Sequence, residues 1–128
     1  MTGSPDRLTR ALSILDHLEP GAPERVRANL DAFHPDTAEL VLGYAFADIL
    51  GREGIDLRTR EMMTVAMLAA MGTAQGQLEF HMRAALNVGV TREEVVEIVL
   101  QVSVYAGVPA CMNAITAARE AFEAIDEG

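Results

Sequence analysis

The chain of 128 residues has no tryptophan, no lysine and a single cysteine, Cys111. One cysteine excludes an intrachain disulfide, so loops cannot be stapled covalently. Without lysine, all ten basic residues are arginines, scattered along the chain against 19 acids, for a net charge of −9. Phosphate binding needs clustered bases, so the balance argues against a nucleic-acid partner. The acidity reads instead as a solvated surface that keeps the chain soluble. Aromatics make up 5% of the residues, which leaves the core to Ala, Val, Leu, Ile and Met. The longest apolar run, Met62–Gly72, contains Thr64 and is too short to cross a bilayer, so no membrane association is expected. Met1–Pro5 shows no basic region followed by an apolar stretch, so no signal peptide is expected and the cytoplasm is the expected compartment. No segment alternates with a period of two, and no fixed repeat is present.

What the chain does have is helical periodicity throughout. Half of its residues are apolar, a large share for one small domain, and this points to burial between subunits of a homo-oligomer. The length predicts one domain over 1–128, with an N-terminal helical segment at 6–33 and a core at 36–125. Leu8, Ala11, Leu12, Leu15 and Leu18 share a face of the first helix. Val26, Leu30 and Phe33 line up on the second, which His34-Pro35 breaks. Asp36 or Thr37 caps a helix to about Leu50, with Leu40, Val41, Tyr44, Ala45 and Ile49 inward. Asp56 opens a helix to Met71 that is apolar nearly all round after Glu61 and should be central and buried. The next helix puts Leu78, His81, Met82, Ala85 and Leu86 on one face and stops at Asn87-Val-Gly89. Thr91 and Glu94 form a capping box for a helix with one narrow polar stripe. Gly107-Val-Pro109 separates it from a last helix. The fold class expected is all-α, with about six to seven helices.

His81 is the residue that most needs a reason. A titratable ring facing a core is costly without a partner. Gln77, one turn earlier, lies on the same face. Glu61 sits in the first turns of the apolar helix, where the helix dipole favours an acid. Packing alone accounts for a lone histidine on an apolar face more often than catalysis does. His17, His34 and His81 show no ligand spacing, so no metal site is expected. No Ser-His or Cys-His nucleophile motif and no glycine-rich phosphate loop is present. Cys111, early in the last helix, reads as a small buried residue, and the methionines as adaptable core packing.

Three stretches carry a resemblance: Asp56-Leu-Arg-Thr-Arg-Glu-Met-Met-Thr-Val-Ala-Met-Leu, Gln77-Leu-Glu-Phe-His-Met-Arg-Ala-Ala-Leu-Asn-Val-Gly-Val-Thr, and Glu97-Ile-Val-Leu-Gln-Val-Ser-Val-Tyr-Ala-Gly-Val-Pro-Ala. In this order they resemble the carboxymuconolactone decarboxylase family, on its γ-carboxymuconolactone decarboxylase branch. Weaker likeness runs upstream through Arg25–Leu30 to about Asp6. The resemblance implies an AhpD-like helical bundle, assembled as a trimer or hexamer. It implies a decarboxylase that needs no cofactor and acts on a lactone carboxylate. The related alkylhydroperoxidases carry Cys-x-x-Cys ahead of the histidine. Those cysteine positions are Ala74 and Gln77 here, so dithiol peroxidase chemistry is excluded. The matched positions give His81 and Glu61 catalytic roles. Gln77, Arg83, Arg60, Tyr105 and Met112 are then the expected substrate-binding residues. The branch usually has a tryptophan before Gly51 and a cysteine ahead of Gly107. This chain has Phe46, Ile49 and Ala106 there, which implies a differently shaped pocket. Another ring or lactone substrate, or a non-enzymatic ligand-binding oligomer, are the alternative readings.

Overall fold

A computed structural model describes residues 5–128, with the Pro5 side chain left aside. The Met1–Ser4 stretch, part of the expected leaderless N-terminus, lies outside the described residues. Seven α-helices and one π-helical segment make up the described chain, with no strand among these residues. They are α1 (Pro5–Leu18), α2 (Ala22–Phe33), α3 (Thr37–Leu42), the π-helical segment Gly43–Leu50, α4 (Leu57–Met71), α5 (Gln75–Asn87), α6 (Arg92–Ala106) and α7 (Val108–Glu127). The chain forms two compact units, Met1–Leu57 and Arg58–Gly128. The division falls inside the stretch 36–125 expected to hold the core.

In the first unit, Ala11, Leu15 and Leu18 of α1 are buried, as their spacing predicts. They face Ala38, Leu42, Gly43 and Ala47. Arg7 donates to Glu39 Oε1 at 2.7 Å and to Asp48 Oδ2 at 2.9 Å, bracing α1 to α3 and to the π-helical segment. The inward face expected for 37–50 is wrong. Leu40, Val41, Tyr44 and Ile49 are all exposed. The buried positions are Ala38, Leu42, Gly43 and Ala47 instead, so mostly small residues line the inner face, and the helix widens into i→i+5 winding after Leu42. Phe33 is also exposed rather than aligned inward. Asp36 is the N-cap residue of α3, but its side chain makes no cap bond. Asp31 accepts from the Ala38 N–H instead, at 2.9 Å.

In the second unit, Val65, Ala69, Leu78, Met82, Val95, Val99, Ala114, Ala117 and Ala121 form one core. The alanines of α7 let its backbone approach α5 and α6 closely. The capping box is present: Glu94 N–H donates to Thr91 Oγ1 at 3.0 Å, and Thr91 N–H to Glu94 Oε1 at 2.9 Å. Arg58 forms a salt bridge to Glu94. α5 stops before Gly89, which takes the left-handed φ of 103° that favours glycine. α4 departs from expectation. Glu61, Val65 and Ala69 are buried, but Met63, Met67 and Met71 form an exposed stripe on the other side. Within this chain the helix is half covered, because apolarity on every side specifies burial without supplying the neighbours.

Candidate active site

Glu61 is the one buried charged residue among the described residues, with no exposure to solvent. It lies one helical turn before Val65 on the core side of α4. His81 projects from α5 beside Leu78 and Met82, which are both buried. Its Nδ1 sits 2.7 Å from Glu61 Oε1, and its side chain keeps 14% exposure. A carboxylate has only lone pairs to offer, so Nδ1–H donates and Nε2 is the nitrogen left for other work. The second carboxylate oxygen, Oε2, is buried with no partner. That is an expensive arrangement for structure alone, because an unsatisfied buried acceptor costs about 1–3 kcal/mol.

Around the pair, the Phe80 ring meets the His81 imidazole edge to face, centroids 5.1 Å apart. Arg83 lies over the Phe80 ring, its guanidinium carbon 5.6 Å from the centroid, and is ion-paired with Glu79. Gln77 is exposed one turn before His81, and Arg60 is partly buried on α4 next to Glu61. Spacing pointed to His81 and Gln77, and the resemblance to Glu61 and Arg83; Phe80 touches two of these four. Phe80 was missed, although an aromatic residue three positions before an arginine on a helix is a readable cation–π spacing.

The structure does not join Tyr105 or Met112 to the pair. Tyr105 is 91% and Met112 61% exposed, and no hydrogen bond, ion pair or ring contact connects either to Glu61 or His81. Tyr105 instead lines a cleft of about 450 Å³ between α4 and α6, with Ala66, Ala70, Ile98, Gln101, Val102 and Ala106. Cys111 is buried, as expected of a small core residue. Among the described residues, no three His, Cys, Asp or Glu side chains gather where they could hold a metal ion. No described helix is long and apolar enough to cross a membrane.

The fold is thus an all-α bundle with a buried acid held against a partly exposed histidine. The family model of the carboxymuconolactone decarboxylase family matches residues 35–120, well over half of the chain. A 4-carboxymuconolactone decarboxylase of Acinetobacter baylyi is 37% identical over 95 residues, 74% of this chain and 70% of the relative. A nitrosuccinic acid decarboxylase of Metarhizium robertsii is 30% identical over 106 residues, 82% of this chain and 73% of the relative. An uncharacterized 15.0 kDa protein of Paracoccus denitrificans is 31% identical over 129 residues, 99% of this chain and 91% of the relative. The chain belongs to the carboxymuconolactone decarboxylase family and is a decarboxylase-like enzyme.

Proposed function

We propose that this protein decarboxylates γ-carboxymuconolactone or a closely similar lactone, with His81 as the proton donor. The observation that carries the reading is the Glu61–His81 pair: a fully buried carboxylate 2.7 Å from an imidazole that still reaches solvent. In the lactone, the departing carboxylate is conjugated through the ring double bond to the lactone carbonyl. When the bond to CO2 breaks, its electron pair moves through the ring to that carbonyl and forms a dienolate. His81, protonated, then delivers a proton to carbon and is recharged from solvent. The lactone carbonyl is itself the electron sink, so the chemistry calls for no cofactor. Glu61 accepts from Nδ1–H and so holds the ring in that tautomer, with Nε2 turned to the substrate. Gln77, one turn away, donates to the lactone carbonyl as negative charge develops there. Arg83 or Arg60 anchors the carboxylate that the product keeps. Tyr105 and Met112 are assigned to the pocket wall, and the active form is a homo-oligomer, a trimer or hexamer.

A second reading changes the substrate and keeps the chemistry. The relative named for nitrosuccinic acid favours it, as does the absence of tryptophan beside Phe46 and Ile49. A carboxylate next to a nitro group also leaves a delocalised carbanion, a nitronate, which is protonated at carbon. Both named substrates are dicarboxylic acids that lose one carboxylate and keep the other. The test is CO2 release with each compound under the same conditions. Turnover of the lactone supports the first reading. Turnover of nitrosuccinate alone supports the second, and turnover of neither contradicts both.

A further inference from the structure

Phe80 makes two contacts that the proton chemistry leaves unexplained. Its ring stands at 82° to the His81 imidazole, centroids 5.1 Å apart. The Arg83 guanidinium carbon lies over the same ring, 5.6 Å from its centroid. Consecutive residues on a helix point about 100° apart, so these two rings meet only by turning toward each other. The hydrogen bond from Nδ1 to Glu61 fixes one atom of the imidazole. It leaves the ring free to swing about that bond, and Nε2 would swing with it. An edge-to-face contact removes that freedom, because its attraction depends on the angle between the planes. Phe80 has no proton to give, so it cannot itself be the acid.

We propose that Phe80 is a positioning residue: it fixes the plane of the His81 imidazole and holds Arg83 in register with it. The imidazole and guanidinium centres can be no further apart than 5.1 Å and 5.6 Å laid end to end. That spacing suits a compact dicarboxylic acid that loses one carboxylate beside His81 and keeps the other on Arg83. The substrate half of this inference rests on the decarboxylase reading. The ring-positioning half does not.

The test compares Phe80→Leu, Phe80→Tyr and Arg83→Met with the wild type. The His81 ring is read by long-range 1H–15N NMR for its tautomer and by 13C relaxation for its mobility, and kcat and KM are measured with the diacid lactone and its side-chain monomethyl ester. The wild-type ring should show one tautomer, Nδ1–H. Phe80→Leu should keep that tautomer, which Glu61 holds, but show a more mobile ring and lose about tenfold in kcat, and Phe80→Tyr should restore both rigidity and kcat. Arg83→Met should raise KM for the diacid about tenfold with kcat little changed, and leave the monoester unaffected. An equally rigid ring in Phe80→Leu, with kcat within about twofold of wild type, overturns the positioning role. Equal effects of Arg83→Met on diacid and monoester overturn the dicarboxylate assignment. If the wild type turns over neither compound, the decarboxylase reading fails, while the ring spectra still decide the role of Phe80.

Discussion

At the scale of single residues, Glu61 is the most expensive group in the chain. It is fully buried, makes one described hydrogen bond, to His81, and leaves Oε2 without a partner. Buried ion pairs often stabilise less than an apolar residue of similar volume would. Replacing both partners, Glu61→Met with His81→Leu, should therefore leave the melting temperature unchanged or raise it, while kcat falls at least about tenfold. A loss of several degrees in Tm would show the pair to be structural. His81 and Gln77 were legible because i, i+4 spacing is a local rule. The partnership with Glu61 was not, because it joins residues 20 positions apart on two helices. Only the family resemblance singled out Glu61 as a functional acid, and only the structure supplied the contact.

At the scale of elements, local chemistry was readable and the buried face of 37–50 was not. The Thr91–Glu94 box depends on four consecutive residues and formed as their sequence predicts. Thr91→Ala should cost about 1 kcal/mol in a denaturant titration. The Thr91 backbone N–H, and then the Arg58 guanidinium, hold the Glu94 carboxyl below its ordinary 4.5. A depressed carboxylate contributes stability that is complete above 4.5 and lost as pH falls through the lower folded value. The Tm difference between wild type and Glu94→Gln should therefore shrink as pH is lowered through that range. The 37–50 helix departs from expectation because small residues, Ala38, Gly43 and Ala47, line its buried face with Leu42, while the bulkier Leu40, Val41, Tyr44 and Ile49 are exposed. Gly43 opens the π-helical segment, and a Cβ there would overlap the Arg7 guanidinium, which Glu39 and Asp48 pin in place. Gly43→Ala should destabilise by roughly 1–3 kcal/mol, and by much less in an Arg7→Ala background.

At the scale of the whole molecule, the all-α class followed from the missing strand alternation, and it holds across the described residues. The all-round burial expected for α4 does not hold within one chain. Its exposed Met63, Met67 and Met71 are matched by Val96, Leu100 and Val104 on α6. Surface of this kind is what subunit association covers, and the proposed homo-oligomer accounts for it. Light scattering should give a mass of at least three times the 13.8 kDa chain, and Leu100→Glu should reduce it. A monomeric wild type would contradict the assembly. The central claim is that the Glu61–His81 pair performs proton chemistry on a carboxylate substrate. Its most direct test is the rate of CO2 release from γ-carboxymuconolactone by the wild type and by His81→Ala at saturating substrate. The account predicts clear turnover by the wild type and a loss of about 10²–10⁴ in kcat for the variant. A loss of less than about tenfold would contradict it.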